Sequence, residues 1–346
     1  MSMKSAIVIH SYHPDQDGHG GSHRSLQIRN KLVEEFGSEL ISFSVEDLAP
    51  RDAITPSLML TATRMLPYLK RFRFSSWLRL VAACNILQKL NVCGFDKVFV
   101  EQSPNQSIYF SAAIALMGSE YTLIPHNVEF LVAGQSFADE SIPYLLVKLS
   151  AESANDIWTI SEFDKKIFEI FNQNTKFLPY SPPPEVANDL KRSLKSLTSQ
   201  ETEGLLRSTD YELERFKFIL SIGTFDNPPS RKGAIRLSAL FEANKFGEAD
   251  FLVFTGRGSD SLIFGRSKKI IKLGYVDSQL LMALVMRCTA IVIYQVPTTG
   301  WMTRLNTLSG FGKIIHVNGD YLSGKGYEIA KLSPYQIQDV GAVGLE

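Results

Sequence analysis

His126 closes a short apolar run, Tyr121–Pro125, and is followed by Asn127, Val128 and Glu129. An imidazole fixed at a strand end can hydrogen-bond a sugar hydroxyl or move a proton near neutral pH. Further along, a second β-type run, Phe218–Ile222, opens into Gly223 and then Pro228-Pro229-Ser230-Arg231-Lys232-Gly233. Glycine lets a backbone approach a ligand closely, and adjacent cations stabilise charge that develops on a leaving group. Arg231 and Lys232 are therefore candidates for neutralising a departing diphosphate. Open α/β sheets bind ligands at their strand ends, which is where both segments fall.

A third polar cluster lies near the N-terminus. Gly18-His19-Gly20-Gly21 joins a β-type run to a helical one, and its free N–H groups suit an anion or an acceptor hydroxyl. Gly20 and Gly21 are the candidates there. Four of the six histidines (His10, His13, His19, His23) fall in the same stretch with Asp15 and Asp17. That composition suits a divalent metal, but the spacing matches no specific metal pattern. A polar loop over a binding site explains it as well, and no metal is expected.

The elements that must position these groups follow from hydrophobic periodicity. Strands are expected at Ser5–His10, Leu40–Val45, Lys97–Val100, Tyr121–Pro125, Asp156–Ile160 and Lys176–Leu178. Helices are expected from Ser22, read as an N-cap, to Phe36, from Asn105 to Met117 and from Glu162 to Phe171. Pro179–Pro184 is a stiff break. A second series follows, with strands at Phe218–Ile222, Asp250–Phe254, Ile270–Leu273, Ala290–Tyr294 and Ile314–Val317 and helices at Ala234–Asn244 and Ser278–Arg287. Alternating strands and helices imply parallel sheets with crossover connections. The expected division is residues 1–180, an exposed helical linker at 181–215, and residues 216–346.

Composition bounds the partners. A hydrophobic fraction of 45% in 346 residues is that of a globular chain with room for two domains. Thirty-six basic and 36 acidic residues balance, so no global field points to nucleic acid. Three cysteines without metal spacing fit a reducing cytosol. No signal peptide or membrane-spanning run is evident. From Ala53 to Phe95 there is no acidic residue, while Arg64, Lys70, Arg71, Arg73, Arg79 and Lys89 alternate with aromatic and aliphatic side chains. Such a stretch fits an anionic membrane surface or a core-facing helix pair with a solvated basic face.

Several of these segments resemble motifs of the retaining GT-B glycosyltransferases of family 4. Pro125-His126-Asn127-Val128-Glu129 resembles their H-N-x-E element, whose histidine faces the donor sugar. Trp158–Phe163 is similar to the V/T-S-x-F element that closes their first domain. Gly223 to Gly233 resembles G-S-x-x-x-x-P-N-x-x-G, with Ser230 in place of asparagine, and Lys232-Gly233 resembles the K-G pair that binds the donor diphosphate. Ile271–Val276, containing Gly274 and Tyr275, resembles the L-G-x-V strand end that reads the nucleobase. Thr299–Lys313 resembles the glycine-rich turn and helix of the donor site, with Arg304 at or next to the family's basic position. The family carries glutamates where this chain has Thr299 and Thr307. A threonine cannot accept two ribose hydrogen bonds as a carboxylate does.

The resemblance implies a GT-B fold, two Rossmann-like domains facing across a cleft. It implies transfer of a hexose or related sugar from a nucleotide-sugar donor to a glycan or lipid-linked acceptor. Configuration would be retained, no metal cofactor would be needed, and the setting would be bacterial-type surface polysaccharide synthesis. His126 would be the catalytic residue. Gly20, Gly21, Arg231, Lys232, Gly274, Tyr275, Arg304 and Thr307 would hold the donor. The protein would be cytoplasmic, peripheral at the inner membrane surface through residues 53–95. Three rivals stand beside this: a non-catalytic GT-B protein that binds a glycan or protein partner, a metal-dependent hydrolase built on the histidine loop, and a sugar-nucleotide epimerase.

Overall fold

The computed structural model describes residues 5–15, 20–48, 72–104, 106–132, 141–185, 197–243, 249–265, 267–295, 315–317 and 337–339, with a few isolated positions besides. The chain divides into two compact units, with the main boundary between Pro183 and Pro184 and the short piece Thr299–Thr303 grouped with the first unit.

The first unit runs β1 (Ala6–His10), α1 (Gly20–Phe36), β2 (Leu40–Ser44), α2 (Phe74–Lys89), β3 (Lys97–Gln102), α3 (Ser107–Met117), β4 (Thr122–Pro125), α4 (Ser141–Ser153), β5 (Asp156–Thr159), α5 (Glu162–Phe168) and β6 (Thr175–Phe177). Its sheet is parallel throughout, in the order β2-β1-β3-β4-β5-β6. Parallel strands covered on both faces read as continuous apolar runs, and Ala6–Ile9 is such a run. Ile7, Ile9, Val98, Val100 and Leu123 pack with residues of α2, α3 and α4. The alternate residues Ala6, Val8, Phe99 and Ile124 pack with Ile28, Leu32 and Phe36 of α1. Strands β1 and β3 are neighbours although the chain leaves β1 toward β2, so the strand order reverses between them.

The second unit adds α6 (Ser199–Arg207), β7 (Phe218–Ile222), α7 (Pro228–Glu242), β8 (Phe251–Thr255), β9 (Ile270–Lys272), α8 (Ser278–Arg287), β10 (Ala290–Ile293), β11 (Ile315–Val317) and β12 (Ile337–Asp339). The order is β12-β11-β10-β7-β8-β9, again parallel, with the reversal between β7 and β10. The segment 181–215, read from sequence as helical and exposed, holds α6. That helix is opened by a reciprocal cap between Thr198 and Glu201, buries Thr202 and Leu206, and packs on α8.

Two helix starts differ from expectation. Gly20 opens α1, so Ser22 lies inside the first turn and its hydroxyl is buried without a hydrogen-bond partner. Pro228 opens α7, where a residue without an N–H is tolerated because the first-turn amides are unsatisfied anyway. Arg231 and Lys232 therefore lie within the helix and not in a turn before it. Strand β12 has no counterpart among the strands expected from sequence.

Candidate functional site

Three polar residues meet at the strand ends of the first sheet, across the reversal between β1 and β3. His10 is the last residue of β1, Glu101 lies at the end of β3, and His126 follows β4. Parallel pairing aligns these ends, so the residue types that close each strand converge. Glu101 is fully buried. Its Oε1 lies 2.8 Å from His10 Nδ1. Its Oε2 lies 3.1 Å from His126 Nε2 and accepts from the Ser11 amide at 2.9 Å and the Ser25 hydroxyl at 2.5 Å.

Burial alone would push the Glu101 carboxyl up, but His10 and His126, through charge and hydrogen bonds, hold it well below the usual carboxylate range. A second buried charge lies nearby. Arg24 of α1 is fully buried, and its guanidinium donates to Leu178 O at 2.9 Å and to the Gln27 side chain at 2.5 Å. Burial pulls Arg24 down to about 10, with Glu101 acting in the opposite direction. The Tyr12 ring lies 5.4 Å from the His126 ring, and burial pushes its phenol up to about 12.

The sequence singles out His126, and the structure gives it Glu101 as a partner. Glu101 itself was missed because β3 was read as ending at Val100. The available signal was a lone carboxylate closing an otherwise apolar parallel strand. His10, counted with the histidine loop, belongs instead to this buried cluster. Of that loop, Asp15 pairs with Arg29 at 2.9 Å, and Asp17 and His19 lie outside the described residues. Among the described residues no group of three His, Cys, Asp or Glu is placed to hold a metal ion. Gly20 and Gly21 form the first turn of α1.

The second sheet presents glycines at its own reversal. Gly223 follows β7, and Gly256, with φ +115°, follows β8; a Cβ on Gly256 would stand 2.1 Å from Gly223 O. A Cβ on Gly233 of α7 would stand 2.0 Å from Tyr294 O, just after β10. Both glycines are required by close backbone approach. Gly274 accepts hydrogen bonds at its carbonyl from the Gly256 amide at 2.9 Å and the Thr255 hydroxyl at 3.1 Å. That carbonyl is thus engaged in the sheet end, while Tyr275 beside it is exposed.

Arg231 donates to Phe225 O at 3.1 Å and lies 3.9 Å from Asp226, which pairs with Arg257 at 2.9 Å. Lys232 is exposed and makes no ion pair among the described residues. Thr299, Arg304 and Thr307 lie outside the described residues.

Two parallel sheets, each with polar or glycine-rich strand ends at its reversal, narrow the fold to one class, and solved structures decide it. The chain superposes on a UDP-forming α,α-trehalose-phosphate synthase from Burkholderia vietnamiensis with TM-score 0.61 at 10% identity, covering 98% of this chain and 86% of that one. The fold is GT-B. The corresponding enzyme of Burkholderia xenovorans, in complex with glucose-6-phosphate, gives TM-score 0.60 at 12% identity, covering 97% and 89%. A glycosyltransferase from Rickettsia africae gives 0.55 at 12% identity, covering 91% and 79%. No family model and no curated protein matches the sequence. In this GT-B chain each Rossmann-like unit carries its polar groups at the carboxyl ends of its strands, as open α/β sheets do.

Proposed function

We propose that this protein transfers a sugar from a nucleotide-sugar donor to a hydroxyl of a glycan or lipid-linked acceptor, with retention of configuration and without a metal. The observation that carries the proposal is the buried Glu101 carboxylate bridging His10 and His126 at the reversal of the first sheet. A buried, fully engaged carboxylate costs stability that a plain core would not, and such constellations mark functional sites. The GT-B neighbours support the substrate class, since one is described as UDP-forming and another holds glucose-6-phosphate.

In this reading the second unit binds the donor. Lys232 and the first turns of α7 neutralise the diphosphate as the glycosidic bond breaks, a task that fixed cations and helix amides perform. Arg231, bound to Phe225 O and near Asp226, holds the preceding loop in place. In the same reading Gly274 and Tyr275 contact the nucleobase, and Arg304 and Thr307 are assigned to the donor site on the motif resemblance alone. His126 meets the transferred sugar. Release of nucleoside diphosphate from a matched donor and acceptor, with an α-linked product from an α-linked donor, tests the reading. Donor binding with no turnover on any acceptor would favour the non-catalytic alternative, which Thr299 and Thr307 support.

Lys232→Ala is expected to fold normally and to weaken nucleoside diphosphate binding by about 1.5–3 kcal/mol, roughly 10–150-fold. Calorimetry with UDP and GDP reads this directly, and an unchanged affinity removes Lys232 from the diphosphate site.

A lipid-linked acceptor requires access to a membrane. Within residues 53–95 the described Leu66, Phe74 and Leu78 are exposed, and Phe74 stacks on Trp77 at 5.8 Å. No helix among the described residues is long and apolar enough to cross a membrane. Each Lys or Arg near an anionic surface contributes about 1 kcal/mol, an attraction that salt screens. Co-sedimentation is expected with anionic vesicles at low salt and not with neutral ones. Equal, negligible binding to both favours a soluble acceptor.

A further inference from the structure

The start of α7 is poor in the groups with which a helix usually meets an anion. A helix start leaves four amides without intrahelical partners, here those of residues 227–230. Pro228 and Pro229 have no N–H, and the Asn227 amide donates to Thr224 O at 3.2 Å. Of the four, the Ser230 amide remains, so side-chain cations must supply most of the charge that a diphosphate needs. Arg231 and Lys232 lie on α7, and Arg257 follows β8 on a turn between Gly256, φ +115°, and Gly258, φ +76°. Asp226, the residue before the α7 cap, stands among these cations. Its Oδ2 lies 2.9 Å from Arg257 Nε, and its Oδ1 lies 3.9 Å from Arg231 Nη2. Its seat depends on Gly258, where a Cβ would stand 2.4 Å from Asp226 Oδ1.

We propose that Arg257 is a further diphosphate-binding residue and that Asp226 is its resident counterion, holding Arg257 until the donor diphosphate takes that guanidinium over. The side chains of Asp226 and Arg257 are 48% and 76% exposed. An ion pair that exposed is weak, whereas a phosphate offers a guanidinium two parallel hydrogen bonds and more negative charge. The exchange therefore favours the ligand. Asp226 also places a carboxylate at the positive end of α7, where it does for the helix what a bound diphosphate would do. The pair is not needed to join the two loops. Main-chain hydrogen bonds already do so, from the Phe225 amide to Arg257 O at 2.7 Å and from the Gly223 amide to Thr255 O at 3.1 Å. What Asp226 adds is competition: it limits affinity for the diphosphate and gives Arg257 a partner to return to when the nucleoside diphosphate leaves. This assignment rests on the reading of α7 and Lys232 as the diphosphate site.

The test is calorimetry on the full chain with UDP, GDP and, as a probe without a base, inorganic pyrophosphate, at about 0.05 M and about 0.5 M salt. Asp226→Asn is expected to bind the nucleoside diphosphate about threefold to tenfold more tightly than the parent at low salt, with a smaller gain at high salt, where charges are screened. Arg257→Gln is expected to bind about threefold to tenfold more weakly, and adding Asp226→Asn to it should recover less than the same change gains in the parent. An ordinary loop-bracing carboxylate predicts the opposite sign, since its loss loosens the site. Equal or weaker binding by Asp226→Asn overturns the proposal, as does a gain that salt leaves undiminished or an unchanged affinity in Arg257→Gln. If Asp226→Asn does not fold, Arg257→Gln decides alone. Binding by the parent with no gain in Asp226→Asn removes this inference and leaves the donor site standing. No binding of any probe by the parent or by either variant removes both.

Discussion

Glu101→Leu is expected to destabilise the protein by about 3–5 kcal/mol, because it removes one side of a buried charged network and leaves the rest behind. The substitution matches the apolar surroundings in size, so packing volume is not the main loss. Four groups lose their acceptor at once: the Ser11 amide, the Ser25 hydroxyl, His10 Nδ1 and His126 Nε2. Each buried donor left unpaired costs about 1–3 kcal/mol, and neighbours in one network do not add linearly. Arg24, already fully buried, also loses the nearby negative charge. Urea unfolding followed separately in each unit reads the effect in the first unit. A loss under about 1 kcal/mol would show that the cluster is not a coupled network.

The same carboxylate gives a pH dependence with a defined sign. Its folded-state pKa is depressed below the ordinary value of about 4.3. Its contribution to stability is therefore fully present above that value and is lost as pH falls below it toward the folded-state value. Glu101→Leu should flatten this part of the acid unfolding profile.

The second large effect is expected at Gly233→Ala. Helix propensity alone would favour alanine by about 1 kcal/mol. The backbone decides otherwise. A Cβ at this position stands 2.0 Å from Tyr294 O and 2.7 Å from its carbonyl carbon, so α7 must move off the end of β10. Overpacking a well-packed site costs about 1–3 kcal/mol, and against a main-chain carbonyl, which cannot swing away, the upper end applies. A net destabilisation of about 2 kcal/mol is expected, with weaker nucleoside diphosphate binding, since α7 carries Lys232. A variant as stable as the parent would mean that α7 does not need this close approach.

Much of the fold is legible in the sequence because both sheets are buried on both faces. Runs such as Ala6–Ile9, Phe218–Ile222 and Ala290–Ile293 announce themselves as strands without needing tertiary context. Helix starts are less legible. Ser22 has the chemistry of an N-cap, yet the helix begins two residues earlier at Gly20, and Pro228 begins α7 well before its apolar face at Ala234. Strand β12 is short and was hidden in a polar tail.

The candidate site is legible only where a single residue carries the signal. His126 stands out because of its neighbours in sequence. Glu101 does not, because its meaning comes from β1 and β4 lying on either side of β3, and strand order is not written in periodicity. His10 was grouped with histidines close in sequence, whereas its partner is 91 residues away. Lys232 reads from sequence as part of a turn, and the structure puts it on a helix.

The central claim, a nucleotide-sugar site on a GT-B scaffold, is tested most directly by thermal unfolding against a panel of UDP-, GDP-, ADP-, dTDP- and CMP-sugars. A cognate donor at a hundred times its dissociation constant is expected to stabilise the protein by about 2.7 kcal/mol, raising Tm by several degrees in the wild type and much less in Lys232→Ala. No shift with any member of the panel at millimolar concentration would contradict the account.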